Sequence, residues 1–176
     1  MISRTQESQW VLRAQCSDRE ALERLLEGVQ PALHRYIRGI TGATLADDVL
    51  QETFIVVARK LRHLENPDVF RPWAFRIASR LAFRQLRKER RWQGDDAQLD
   101  ELPAPDGRPP EDLLRKMLDT DVLSPASRAV LVLHFDEELS LPEAAAILEV
   151  PLGTVKSRLA YGLAAIRKHL GKNRSV

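Results

Sequence analysis

The feature that most constrains this chain is a stretch that cannot fold by itself. Residues 94–112, "GDDAQLDELPAPDGRPPED", hold four prolines, two glycines and a run of acids with almost no bulky apolar side chain. Such a segment buries too little surface to offset the entropy of ordering it and reads as a linker. On both sides apolar residues recur at helical spacing, and there is no convincing alternation of period two. The expected architecture is therefore all-α. Two small helical domains, 1–92 and 113–176, are joined by a flexible acidic linker, 93–112.

In the first domain Asp18 is placed to cap a helix whose stripe is Ala21, Leu22, Leu25, Leu26 and Val29. Tyr36, Ile37 and Ile40 continue the stripe past Pro31, which is expected to kink or interrupt it. Gly39 and Gly42 mark its end, and Thr44 with Asp47 resembles a capping box for the next helix. That helix carries Ala46, Val49, Leu50, Thr53, Phe54, Val57 and Leu61 inward. After a break at Asn66-Pro67 comes a helix with Phe70, Trp73, Ile77, Leu81 and Leu86. In the second domain Ser124-Pro125 opens an apolar helix holding Val130, Leu131 and Leu133, and Ser140 with Glu143 forms a clean capping box for the next.

Net charge is only +2, but its distribution is lopsided. Arg76, Arg80, Arg84, Arg87, Lys88, Arg90 and Arg91 face a single acid, Glu89, and an acidic block begins at Asp95. Cys16 is the only cysteine and the four histidines are scattered, which excludes a disulfide framework and argues against a metal cluster. Cys16 is expected to be a buried apolar thiol. No apolar run approaches the ~20 residues of a membrane span, and "MISRTQESQW" lacks the pattern of a secretory signal. With no nucleophile-base pair or phosphate-cradling glycine loop, the expectation is a cytoplasmic, cofactor-free protein that is not an enzyme.

Residues 141–162, "LPEAAAILEVPLGTVKSRLAYG", pair a helix of small apolar residues with a second helix after a short break. In the second, Val155, Leu159, Leu163, Ile166 and Leu170 form one stripe. Placing Val155 and Leu159 inward turns Thr154, Ser157, Arg158 and Tyr161 outward, with Lys156 beside them. A DNA-reading helix touches base edges with its first turns and lies near phosphate with its positive end. Arginine can donate twice to guanine, serine can contact base or phosphate, and lysine reaches backbone. The pair alone also fits an ordinary amphipathic helix.

The first domain carries two further surfaces. In "LADDVLQETFIVVARKL", Asp48, Gln51, Glu52 and Ile55 lie at i, i+3, i+4 and i+7, an acidic and amide face ending in an exposed aliphatic residue. That composition suits a basic protein surface or simply solvent. In residues 70–91, Arg76, Arg80, Arg84, Arg87 and Lys88 advance mainly by three or four, a stripe able to track a nucleic-acid backbone. Trp73, Phe75 and Phe83 are the aromatics available to unstacked bases or to the core.

These runs resemble the extracytoplasmic-function (ECF) group of the RNA polymerase sigma factor superfamily. The Gly-Thr-Val-Lys-Ser-Arg run at 153–158 is the hallmark of the helix-turn-helix in sigma domain 4, and Asp47, Asp48, Gln51, Glu52 and Phe54 match a sigma domain 2 helix. The resemblance spans about residues 18–170, apart from the linker. It implies that Asp47, Asp48, Gln51, Glu52 and Ile55 bind the clamp helices of the largest subunit of core polymerase. It implies that Trp73, Arg76, Ser79, Arg80, Arg84, Arg87 and Lys88 engage the melted minus-ten strand. Thr154, Lys156, Ser157, Arg158 and Tyr161 then read the minus-thirty-five element.

The resemblance also places a base-capturing loop at Ala78-Ser79-Arg80-Leu81, with Arg80 where many relatives carry asparagine. Glu149 stands where relatives commonly have glycine, so it either costs about 1 kcal/mol or shifts the turn. The linker, roughly 19 residues reaching up to ~65 Å when extended, lets both domains touch one promoter. An anti-sigma factor is the further partner implied. The rival readings are a stand-alone helix-turn-helix regulator and an RNA-binding interaction protein.

Overall fold

The computed structural model describes residues 4–93 and 122–173, and every regular element among them is helical. The chain divides into two compact units, Met1–Glu89 and Arg90–Val176. The expected linker beyond Gln93, and the start of the second domain at 113, lie outside the described residues.

The first unit contains α1 (Arg4–Gln15), α2 (Arg19–Thr41), α3 (Ala43–Lys60) and α4 (Phe70–Gln93). Two 3-10 turns, Leu61–His63 and Pro67–Val69, connect α3 to α4. Asp18 caps α2 as expected, accepting from the Ala21 amide at 3.0 Å. That amide, and then the Arg13 guanidinium bonded to the same carboxyl, hold the Asp18 pKa below its ordinary value. Leu25, Val29, Leu33, Tyr36, Ile37 and Ile40 form the buried stripe of α2. They meet Ala46, Val49, Leu50 and Val57 of α3 and Phe70, Ala74, Phe75, Ala78 and Ala82 of α4 in one core.

Three local expectations are corrected. Pro31 does not break its helix: α2 runs through it, with Pro31 itself exposed and Val29, Ala32 and Leu33 buried around it. Proline costs a helix interior about 3 kcal/mol, and the packed stripe on both sides outweighs that cost. Thr44 caps nothing, because α3 already begins at Ala43. Gly42, at φ 81°, ends α2 with its N–H on the Arg38 carbonyl and starts α3 without a side-chain cap. Only a residue tolerant of positive φ reverses the chain so tightly. Cys16 is exposed rather than buried, because the chain leaves α1 there in the turn before α2.

The second unit contains α5 (Pro125–Leu131), a π-helical turn (Val132–Asp136), α6 (Leu141–Leu148) and α7 (Leu152–Asn173). Ser124 caps α5 through the Ser127 amide at 3.1 Å. The Ser140–Glu143 capping box is complete, with the Glu143 amide donating to Ser140 Oγ and the Ser140 amide to Glu143 Oε2. Val155, Leu159, Leu163 and Ile166 are buried together with Val130, Leu131, Leu133, Ala144 and Ile147; the side chain of Leu170 is not among the described ones. Gly162 lets α7 approach α5 closely, since a Cβ there would sit 2.8 Å from Leu131 Cδ1.

Glu149 closes α6 in the left-handed region, at φ 56° and ψ 42°, with its amide on the Ala145 carbonyl. Glu149, which is not a glycine, carries the strain of that left-handed backbone. Glu149→Gly is expected to stabilise the second unit by about 1 kcal/mol, read as a higher denaturant midpoint at unchanged slope.

Candidate functional site

Burial of Val49, Leu50, Thr53 and Val57 fixes the rotation of α3 and turns its opposite face to solvent. Asp47, Asp48, Gln51 and Glu52 are all exposed, and Ile55 keeps 46% of its surface accessible. Phe54 is half-buried. The ridge is thus a continuous surface, yet not a uniformly unpaired one. Asp47 Oδ1 lies 3.1 Å from His34 Nε2 on α2, and Glu52 accepts from Arg84 on α4.

On α4, Arg76, Arg80, Arg84, Arg87 and Lys88 are exposed, as a basic stripe requires. Trp73 is half-buried, its ring tilted against Phe70 at a centroid distance of 6.2 Å. Phe75 belongs to the core, edge-on to Tyr36 at 5.2 Å, and Phe83 is half-buried.

Ser79 leaves the candidate surface. It is only 3% exposed, and its hydroxyl donates to the Phe75 carbonyl at 2.7 Å. With that hydrogen committed, the Tyr36 hydroxyl donates to Ser79 Oγ, also at 2.7 Å. Ser79 therefore locks α4 against α2 and has no face toward a ligand. Nor is there a loop at Ala78-Ser79-Arg80-Leu81, which lies in the middle of α4 with only Arg80 exposed. The loop of this region comes earlier, at 61–69. It is pinned from α1, whose Gln15 Nε2 donates to the Leu61 and Leu64 carbonyls at 2.9 and 2.7 Å. Beyond it, Arg71 pairs with the largely buried Glu7 at 3.0 Å. Neither Gln15 nor Glu7 stands out in the sequence, because each acts across 46 or more residues.

In the second unit the α6–turn–α7 pair has helix-turn-helix geometry. Lys156 is exposed, while Thr154, Ser157, Arg158 and Tyr161 are half-buried. The Ser157 hydroxyl donates to the Gly153 carbonyl at 3.0 Å, which leaves its lone pairs to accept from outside. The unpaired amides of the first turn of α7 add positive potential beside Lys156. Among the described residues no cluster of histidine, cysteine or carboxylates is arranged to hold a metal ion, and no helix is long and apolar enough to cross a membrane.

Comparison with known proteins decides between the readings. The Sigma-70 region 2 family model matches residues 25–92, and the Sigma-70 region 4 model matches residues 121–168. The ECF RNA polymerase sigma factor SigW of Bacillus subtilis is 33% identical over 71% of this chain and 75% of its own. The chain belongs to the ECF sigma factors. SigE of Mycolicibacterium smegmatis is 35% identical over 74% of this chain, which spans about half of that longer relative, 53%. The solved sigma factor RpoE of Bartonella quintana, in complex with the anti-sigma factor NepR, superimposes with a TM-score of 0.65 at 25% identity. That match covers 85% of this chain and 96% of RpoE. As an ECF sigma factor the protein serves RNA polymerase in directing transcription initiation, and the stand-alone regulator is not the favoured reading.

The position of Ser79 yields a direct test. Ser79→Ala removes the bonds that Ser79 Oγ makes with the Tyr36 hydroxyl and the Phe75 carbonyl and is expected to cost about 1 kcal/mol of stability, measured by denaturant unfolding. Below its melting range the variant should bind promoter DNA in holoenzyme as the wild type does.

Proposed function

We propose that this sigma factor works through three surfaces distributed over a domain 2 at 1–92 and a domain 4 at 113–176, tethered by 93–112. Asp47, Asp48, Gln51, Glu52 and Ile55 dock on the clamp helices of core polymerase. Trp73, Arg76, Arg80, Arg84, Arg87 and Lys88 hold the melted minus-ten strand. Thr154, Lys156, Ser157, Arg158 and Tyr161 enter the major groove at the minus-thirty-five element. The observation that carries this reading is that one small unit exposes an acidic ridge and a basic stripe on neighbouring helices. Such a unit suits a protein that must grip a basic protein surface and a polyanion at once.

The mechanism is physical rather than chemical, and no residue takes part in covalent catalysis. Opening a duplex costs a few kcal/mol of unstacking. Backbone contacts from the arginine stripe and stacking on an aromatic ring offset that cost. Arg80, where relatives commonly carry asparagine, favours guanine or phosphate over an adenine edge. The protein acts in the cytoplasm beside polymerase. An anti-sigma factor that covers the same faces fits the kind of complex in which RpoE was solved. Transcription in vitro with core enzyme on a library of randomised promoters tests the whole reading and defines both elements.

Glu52→Lys is expected to abolish core binding while the fold persists, since Glu52 is exposed; co-purification with polymerase checks it, and undiminished recovery refutes the ridge. Arg158→Ala is expected to cost about 1–3 kcal/mol at one position of the minus-thirty-five element. Binding to a set of single-base promoter variants measures this, and an equal loss on every sequence makes Arg158 a phosphate contact instead.

A further inference from the structure

One contact joins the two candidate surfaces of the first unit. Arg84 in the middle of the basic stripe donates through Nη2 to Oε1 of Glu52 in the acidic ridge, across 32 residues of sequence. The pair is not sealed off: the Arg84 side chain is 61% exposed and the Glu52 side chain 47%. A carboxylate accepts at about four lone-pair sites and a guanidinium offers five N–H donors, so each partner has capacity for a second ligand.

We infer that the Glu52–Arg84 pair couples polymerase binding to DNA binding through shared charge. This rests on the assignment of the ridge to polymerase and the stripe to DNA. In the free chain the Glu52 carboxylate draws the guanidinium toward itself and offsets its attraction for phosphate. A basic group of core polymerase arriving at Glu52 competes for that carboxylate and neutralises it. Arg84 then meets the DNA backbone with its full charge. Coupling between two binding sites is reciprocal, so DNA held by Arg84 strengthens the grip of Glu52 on polymerase by the same factor. The effect is modest, because exposed ion pairs change an equilibrium by no more than about fivefold, and it fades with salt. It gives a sigma factor a bias against holding nucleic acid before polymerase is in place.

A double-mutant cycle tests this with the full chain and a short fluorescent single-stranded DNA oligonucleotide, by anisotropy at low salt. Glu52→Gln is expected to tighten binding about two- to fivefold. The same substitution in an Arg84→Ala background should change nothing. In holoenzyme assembled with saturating core polymerase the tightening should vanish, because polymerase already occupies Glu52. Tightening that persists without Arg84 would reduce the effect to net charge and overturn the inference. So would tightening of equal size in holoenzyme, no tightening in the free chain, or no detectable binding by any variant. If instead Arg84→Ala alone binds as tightly as wild type, the assignment of Arg84 to DNA fails, and the coupling falls with it. Should Glu52→Gln not assemble with core enzyme, the free-chain cycle alone decides. Both residues are exposed, and far-UV circular dichroism is expected to be unchanged in every variant.

Discussion

The first unit depends on how α4 is rotated, and the buried Tyr36–Ser79–Phe75 contact is closed in that rotation. A buried hydroxyl must find a partner or lose the desolvation energy of the group. Tyr36 and Ser79 are both buried, and the chain of donors from Tyr36 to Ser79 to the Phe75 carbonyl satisfies both. The observed rotation of α4 permits it. In that rotation Phe75, Ala78 and Ala82 face the core, and Arg76, Arg80, Arg84 and Arg87 reach solvent on the opposite side. The polar contact lies within the apolar face whose burial turns these charges outward.

With the rotation fixed, electrostatics follows from adjacency. α3 turns its carboxylates outward because its aliphatic residues are buried, and α4 turns its arginines outward for the same reason. Two helices with opposite outer charge pack in one core, and a cross-link between them, Glu52 to Arg84, is the consequence. Two faces meant for oppositely charged partners therefore sense each other before either partner arrives. A sigma factor gains from that arrangement, since polymerase and promoter must be engaged together.

The second unit shows the opposite balance, with local signals governing nearly everything. Ser124 and Ser140 cap their helices through the bonds that their spacing foretold, and the turn at 149 is left-handed although its residue is glutamate. The stripe from Val155 to Ile166 holds α7 in place, and the residues beside it form a surface that is half-shielded rather than fully open. Among the five candidate DNA contacts Lys156 is exposed and the other four are half-buried. The helical wheel sorts residues into two sides, but a place on the outer side does not make a residue fully open to solvent.

The sequence by itself determined the all-helical class, the division into two units, the caps at Asp18, Ser124 and Ser140, and the stripes that bury α2, α3 and α7. These are properties of periodicity and of hydrogen bonds closed within three or four residues, so a local reading suffices. It also carried the family, through the runs at 47–54 and 153–158. Tertiary structure alone decided that Ser79 is a lock rather than a ligand, that α2 survives Pro31, that Cys16 meets solvent, and that Gln15 holds the loop at 61–69. It alone paired Glu52 with Arg84. Each of these depends on a neighbour tens of residues away or on packing strong enough to overrule a local preference, and neither is encoded in spacing along the chain.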